Sequence, residues 1–198
     1  DSNLTNEQWL IVFEELVQAT KDTDWNVKQI AIEELSNLAI EELYILKYDF
    51  NVFHEKQRVV FERLLQGTTD TDSIIRKTAV EGLGKLLSHG FKLLDENSAS
   101  MAFDCLLQST KDGDWDVRNF AIQGLGRLLD YGSKLSAGQL DAVFQYLMQR
   151  VNDNGLHIRK LALEKLVQLV ILDSRLFSGR LDTVLKCFLG VEKDLDSL

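Results

Sequence analysis

The residues best able to carry out chemistry are few and widely spaced. The chain has three histidines, His54, His89 and His157, and two cysteines, Cys105 and Cys187. None of the histidines has a cysteine or a second histidine at the spacing that metal ligands need, and no Gly-rich phosphate loop or nucleophile motif is present. The sequence therefore predicts no catalytic residue, no metal site and no cofactor.

Charged residues instead recur at a fixed spacing. An aspartate and, six residues later, a cation occur four times, as Asp22 with Lys28, Asp70 with Arg76, Asp112 with Arg118 and Asp153 with Arg159. On a helical wheel the cation falls inside an apolar arc, and a partly buried charge needs a partner. The turn aspartates supply that partner, which favours structural Asp–Arg ladders over a catalytic role.

These charges mark an internal repeat. Its four copies are KDTDWNVKQIAIEELSNLA, TDTDSIIRKTAVEGLGKLL, KDGDWDVRNFAIQGLGRLL and NDNGLHIRKLALEKLVQLV, and their leading aspartates are 48, 42 and 41 residues apart. A shorter match precedes each copy, in VFEELVQ, VFERLLQ, AFDCLLQ and VFQYLMQ. Each repeat is thus a helix, a tight turn and a second helix. Neither helix can bury its apolar stripe alone, so successive repeats must stack.

The second helix of each repeat carries a continuous apolar stripe. At 100° per residue, the four core positions fall within an arc of about 80°. They are Val27, Ala31, Leu35 and Leu38; Ile75, Ala79, Leu83 and Leu86; Val117, Ala121, Leu125 and Leu128; and Ile158, Ala162, Leu166 and Leu169. Two Gly pairs interrupt these helices. Gly82 and Gly124 fall at the edge of the arc, where they allow close helix approach, whereas Gly84 and Gly126 face outward.

The D-x-D-x-x-V-R turn followed by an A-x-x-x-L-x-x-L helix resembles the HEAT-repeat family, and KDGDWDVRNFAIQGLGRLL fits it best. The resemblance covers Asn6 to about Val170. It implies an all-α fold, an α-solenoid of about four and a half HEAT-like helix-turn-helix repeats. The chain departs from the family in having no Pro, which many members place in the turn.

We expect a single HEAT-repeat domain over residues 1–198, with repeats near 5–48, 53–89, 98–131 and 137–172 and a terminal half-repeat at 178–190. Thr5 and Asp24 are predicted N-caps. The first repeat is longer because of IEELYILKYDF, which either caps the N-terminal end or forms a binding feature. Val184, Leu185 and Phe188 are expected to cover the open end of the fourth repeat.

The resemblance implies a non-catalytic protein-interaction scaffold. Such solenoids bind partners along the concave face, which the second helices line. The residues expected there are Lys77, Glu81, Lys85, Asn119, Gln123, Arg127 and Lys160. This mixed polar face contains a basic row, so a helix or tail of acidic character fits it. The alternative is a solvated face with local ion pairs.

A second candidate surface is the turn edge. Trp25 and Trp115 follow the second turn aspartate in alternate repeats. An exposed Trp on a turn can anchor a partner. Packing against a neighbouring repeat is the interpretation that we favour.

An alternative function is a HEAT-like enzyme or nucleic-acid-binding protein with a site in the concave groove. His54 and Glu55 form one His-Glu pair like those of HEAT-type di-iron hydroxylases, but such sites need several pairs. Trp115 with Asp116 weakly resembles the site of HEAT-like DNA glycosylases. A net charge of −9 opposes nucleic-acid binding and binding to an anionic membrane surface. We expect a cytoplasmic monomer because no membrane span, signal peptide or disulfide framework is evident.

Overall fold

The structure is a computed structural model, and it describes residues 5–41, 50–88, 96–130, 135–172, 180–182 and 184–186. Helices account for nearly all of these residues. They are α1 (Asn6–Ala19), α2 (Trp25–Glu41), α3 (Phe50–Gly67), α4 (Ser73–Ser88), α5 (Glu96–Ser109), α6 (Trp115–Asp130), α7 (Ala137–Arg150) and α8 (Leu156–Leu172). The odd-numbered helices are the first helices of repeats 1 to 4, and the even-numbered ones are the second helices. The prediction of an all-α repeat fold is confirmed.

Side-chain caps fix where the helices begin. Thr5 caps α1 in a capping box with Gln8, as predicted, and Ser136 caps α7 in the same way with Gln139. Asp24 caps α2, because its carboxylate accepts a hydrogen bond from the backbone N–H of Asn26 at 2.8 Å. These caps satisfy N–H groups that have no partner within the helix.

Each turn between the helices of a repeat is closed by its leading aspartate. Asp22, Asp70, Asp112 and Asp153 each accept a hydrogen bond from the backbone N–H two residues later, at 2.8, 2.9, 2.8 and 3.0 Å. In repeats 2 to 4 the ladder arginine also donates to the backbone carbonyl of that aspartate, at 2.9 Å each. The turn therefore holds its shape without Pro.

Two of these aspartates, Asp70 and Asp153, also pair with a cation of the preceding repeat. Lys28 Nζ lies 3.0 Å from Asp70 Oδ2, and Arg118 Nε lies 3.6 Å from Asp153 Oδ2. Arg150 also pairs with Asp153 at 3.2 Å. Burial alone would raise the pKa of Asp70, but the Asp72 N–H and the Lys28 ammonium outweigh it and hold the pKa below its usual value. The ladder cation thus pairs with the aspartate of the next repeat at these two junctions, and not with the carboxylate of its own repeat as expected.

Contacts divide the chain into two compact units, residues 1–105 and 106–198. In the N-terminal unit, α2 packs on α1, α3 and α4, and α3 packs on α4. One apolar cluster joins Phe13 of α1, Leu35 of α2, Leu64 of α3 and Ile75 of α4. In the C-terminal unit, α8 packs on α6 and α7. The single-domain assignment of residues 1–198 stays a prediction.

Burial of the apolar stripe agrees with the wheel in repeats 2 to 4, where all four positions of each second helix are buried. Repeat 1 differs at two positions, of which Leu38 is half-buried. Val27 was expected in the core, but 41% of its surface is exposed. The residues at the same position in later repeats lie on the side where the preceding repeat packs, and this contact accounts for their burial.

Two helices begin earlier than expected. The third begins at Phe50, although its repeat was expected to start near residue 53, and the fifth begins at Glu96, although its repeat was expected to start near residue 98. The predicted lengthening of the second helix over 42–48 lies outside the described residues. Of the terminal half-repeat at 178–190, Val184 is buried as expected and Leu185 is half exposed, while Phe188 lies outside the described residues.

Candidate protein-interaction face

A groove runs between the second helices α2 and α4 of the N-terminal unit. We call it the α2/α4 groove. Its lining comes from both helices and is polar: Gln29, Glu33, Ser36, Lys77, Thr78, Glu81, Gly82 and Lys85. Three of the residues predicted for the binding face, Lys77, Glu81 and Lys85, line it. The structure therefore brings this part of the predicted set together.

Small residues let α2 and α4 approach closely beneath the groove. A Cβ atom at Gly82 would lie 2.3 Å from Ser36 Oγ and 2.9 Å from Leu64 Cδ2. Ser36 is buried, and its hydroxyl donates to the Ile32 carbonyl at 2.8 Å. Thr78 is also buried, and its hydroxyl donates to the Ile74 carbonyl at 2.9 Å. The hydroxyls at the groove floor are thus satisfied by their own helices and leave the groove walls to the longer side chains.

The charges of the groove alternate along α4. Lys77, Glu81 and Lys85 are one turn apart on the same face, and Lys85 Nζ lies 3.0 Å from Glu81 Oε1. Both members of that pair are about one-third exposed, so solvent screens the pair and it contributes at most about 1 kcal/mol. On the opposite wall α2 presents Gln29 and Glu33. The groove can therefore bind a polar or charged segment through several hydrogen bonds.

The second-helix face of the C-terminal unit differs from this groove. Asn119 was expected to be exposed, but it is buried and its amide oxygen accepts a hydrogen bond from Gln123 Nε2 at 3.2 Å. Its short side chain lies below the surface that longer side chains form, so Asn119 is not available to a partner. Arg127 and Gln123 are half-buried, and Lys160 is exposed.

In the C-terminal unit, the side chain of Lys165 occupies the position that corresponds to the α2/α4 groove of the N-terminal unit. Gly126 was expected to face outward, yet it is buried, because a Cβ there would lie 2.4 Å from Lys165 Cε. Lys165 crosses from α8 and donates to Gln168 Oε1 at 3.1 Å. Gly84, expected to face outward as well, is also buried. The wheel was wrong at both glycines because a residue without a side chain is readily covered by its neighbours.

The tryptophans of the turn edge are exposed. Trp25 and Trp115 are the first residues of α2 and α6, and 44% and 54% of their surfaces are accessible. About half of each surface is therefore accessible, and the packing on neighbouring repeats that we favoured stays a prediction. Their role in binding a partner stays a prediction.

Among the described residues, no group of three or more His, Cys, Asp or Glu side chains could hold a metal ion. Nor is any described helix long and apolar enough to cross a membrane. His157 is exposed at the start of α8. The side chains of His54 and His89 lie outside the described residues, so the His54–Glu55 pair is not tested by the structure.

Comparison with known proteins identifies the repeat. The HEAT repeat model matches residues 102–132, which span the end of the first helix and all of the second helix of repeat 3. Importin beta has a similar structure, with a TM-score of 0.68 and 16% identity over 83% of this chain. The chain thus carries a match to the HEAT repeat in its third repeat and has the fold of HEAT/armadillo-like repeat proteins. No curated protein matches it by sequence.

Other similar structures come from protein design. A designed armadillo repeat protein in complex with the peptide (KR)4 aligns with a TM-score of 0.54 and 16% identity, over 95% of this chain and 85% of its own. An engineered protein aligns with a TM-score of 0.55 and 17% identity, over 91% and 41% of the two chains. At these identities the likeness shows the fold alone. This HEAT/armadillo-like chain spans 19% of the importin beta chain.

The repeat solenoid fold is typical of protein-binding scaffolds in general and is commonly non-catalytic. Sequence reasoning found the charged walls of the groove but not its floor. The signal that could have found it is the pair Ser36 and Gly82, which occupy facing positions in consecutive repeats. Only a small residue at each allows the backbones to approach there.

Proposed function

We propose that the protein is a non-catalytic scaffold that binds a segment of a partner protein along the α2/α4 groove. The observation that carries this proposal is the groove itself, which polar side chains of two repeats line on both sides. Extended segments and single helices both suit such a channel, since each presents side chains at regular spacing.

The floor of the groove supports this assignment. Because Gly82 and Ser36 are small, no long side chain crosses the channel there, whereas Lys165 crosses the corresponding position in the C-terminal unit. A partner segment can therefore reach Gln29 and Glu33 on one wall and Lys77 on the other. The similar designed protein that is in complex with (KR)4 makes a peptide a reasonable kind of ligand for this fold.

We further propose that the bound segment is acidic. On the α4 wall Lys77 and Lys85 outnumber Glu81, in a protein whose net charge is −9, and Glu33 is the one carboxylate of the α2 wall. Positive groups on this face would select acidic segments and would make binding weaker at high salt.

The test is a fluorescence anisotropy titration with two labelled octapeptides, (DE)4 and (KR)4. We expect (DE)4 to bind, with an affinity that falls as salt rises and that drops about tenfold in the Lys77→Gln/Lys85→Gln variant, about 1.4 kcal/mol. Gln is used because Glu at position 85 would repel Glu81 one turn away.

The matched control is Lys21→Gln/Lys111→Gln. It removes the same two charges from exposed turn positions and should leave binding unchanged. Preferential binding of (KR)4 would refute the acidic specificity while keeping the groove. If neither peptide binds, or if both variants weaken binding equally, the groove is not the peptide site.

A further inference from the structure

The walls of the α2/α4 groove carry charges of both signs in a fixed order. Along α4, Glu81 lies midway between Lys77 and Lys85. A helix rises about 1.5 Å per residue, so the two lysines are about 12 Å apart along the helix axis. The centre of this wall is therefore a carboxylate, with a cation on each side.

The α2 wall adds a second carboxylate near the same centre. Glu33 lines the groove and is exposed. It lies one turn from Ser36, which faces Gly82, the residue that follows Glu81. Glu81 has a cation nearby, because Lys85 Nζ lies 3.0 Å from its Oε1. In the part of the chain that the structure describes, no Lys or Arg lies within ion-pair distance of Glu33.

The C-terminal unit has the equivalent junction with a cation already in place. Gly126 of α6 and Ser36 of α2 each lie 14 residues after the leading aspartate of their repeat. Lys165 of α8 and Gly82 of α4 each lie 12 residues after theirs. A Cβ atom at Gly126 would lie 2.4, 2.7 and 2.8 Å from Cε, Cδ and Nζ of Lys165, so the lysine side chain runs across the small residue. Two second helices of this chain thus hold a lysine side chain between them.

The α2/α4 groove leaves the same place to a side chain of the ligand. Its floor is formed by Ser36 and Gly82, and the Ser36 hydroxyl donates to its own helix. In the C-terminal unit the Lys165 ammonium donates to the amide oxygen of Gln168 at 3.1 Å. An ammonium over the α2/α4 floor would meet two carboxylates instead, and charge-assisted hydrogen bonds of this kind are stronger than those to an amide.

We infer that the segment bound in this groove, if the proposed function holds, has an alternating charge pattern in which a lysine lies between two acidic residues. Its lysine crosses the groove floor with the ammonium at Glu33 and Glu81, as Lys165 crosses its own junction. Its acidic residues pair with Lys77 and Lys85. In an extended segment alternate residues face the same way at about 3.4 Å per residue, so acidic residues four positions apart span about 13 Å and the lysine lies halfway between them.

Fluorescence anisotropy with labelled heptapeptides tests this pattern. The peptide SESKSES has its lysine midway between two glutamates, whereas SKSESES has the same composition and net charge with the lysine displaced. In SESQSES a glutamine replaces the lysine. We expect SESKSES to bind about tenfold more tightly than either of the other two. Because SESQSES has the larger negative charge, attraction of acidic groups to the two lysines of the groove would favour it instead.

Substitution of the carboxylate on the α2 wall locates the lysine. Glu33→Gln should remove most of the preference for SESKSES over SESQSES, because it removes a partner of the ammonium. The matched control is Glu34→Gln, which removes the same charge from the next residue of α2, exposed but outside the groove lining. It should leave the preference intact.

The outcomes separate this inference from the proposed function. If the three heptapeptides bind equally and Lys77→Gln/Lys85→Gln weakens them all, the groove remains the peptide site and the alternating pattern is wrong. A preference for SESKSES that Glu33→Gln leaves unchanged would overturn the placement of the lysine. If neither the heptapeptides nor (DE)4 bind, the proposed function fails, and this inference fails with it.

Discussion

Glycine-to-alanine substitutions at two junctions should change stability in opposite directions. Both Gly82 and Gly126 lie inside helices, where Ala is favoured over Gly by about 1 kcal/mol. At Gly82 the new Cβ would meet Ser36 Oγ at 2.3 Å and Leu64 Cδ2 at 2.9 Å. Both neighbours are buried in the core of the N-terminal unit and cannot move without disturbing it.

Overpacking of this kind costs about 1–3 kcal/mol, so Gly82→Ala should be destabilising by about 1 kcal/mol after the helix preference is subtracted. At Gly126 the nearest atoms are Cε, Cδ and Nζ of Lys165, the far end of a flexible side chain. That side chain can swing away, so Gly126→Ala should be stabilising by about 0.5–1 kcal/mol. The two variants should thus differ by about 2 kcal/mol.

Urea denaturation of the two variants and the wild type measures this difference. A third variant, Ser36→Gly/Gly82→Ala, moves the glycine from α4 to α2 and should recover most of the loss, because the contact at Ser36 is removed. Equal or greater stability of Gly82→Ala than of the wild type would refute the packing described for this junction. Destabilisation by Gly126→Ala would refute the description of Lys165 as a movable cover.

Two further predictions concern the turns. The pKa of Asp70 is lowered in the fold, so its contribution to stability is present above the unfolded value of 3.8 and is lost as pH falls through the folded value. Asp70→Asn should therefore lower the free energy of unfolding at pH 7, and this loss of stability should become smaller below about pH 4. Urea titrations between pH 7 and pH 3 measure it. A loss of stability that stays constant down to pH 3 would contradict the Lys28 pairing. Tyr146 donates its hydroxyl to the carbonyl of the fully buried Thr110. Tyr146→Phe leaves that carbonyl without this donor and should lower the free energy of unfolding by about 1–3 kcal/mol, and an unchanged urea midpoint would show that the hydrogen bond contributes little.

The repeat pattern was sufficient to predict the fold because the same physical requirement recurs four times. The aspartate turn, the apolar stripe and the ladder cation are each local signals, and α4 and α6 both begin directly after the turn that these signals mark. The pattern was less informative where one repeat meets the next. Gly126 and Asn119 were placed outside from the wheel of a single helix, but long side chains such as Lys165 cover short ones across the junction.

The exposed residues of repeat 1 also show that the wheel of a single helix does not determine burial. Val27 has the residue type of the core and the wheel position of the core, yet it is exposed because burial depends on a neighbour that the wheel does not contain. Which face binds a partner stays a prediction, and the wheel of one helix does not show where two second helices form a groove. Lys77, Glu81 and Lys85 follow from one helix, whereas the α2/α4 groove also requires Gln29 and Glu33 from another.

Photo-crosslinking from the groove tests the central proposal most directly. Gln29→p-benzoylphenylalanine places the reactive group on the α2 wall of the groove, and Glu7→p-benzoylphenylalanine places it on the exposed surface of α1 as a control. If a partner segment occupies the α2/α4 groove, irradiation in cells should crosslink one discrete protein to position 29 and none to position 7. In cell extracts, excess (DE)4 peptide should suppress that crosslinked product. The same products from both positions, or none from position 29, would contradict the proposal that this groove is where the protein binds its partner.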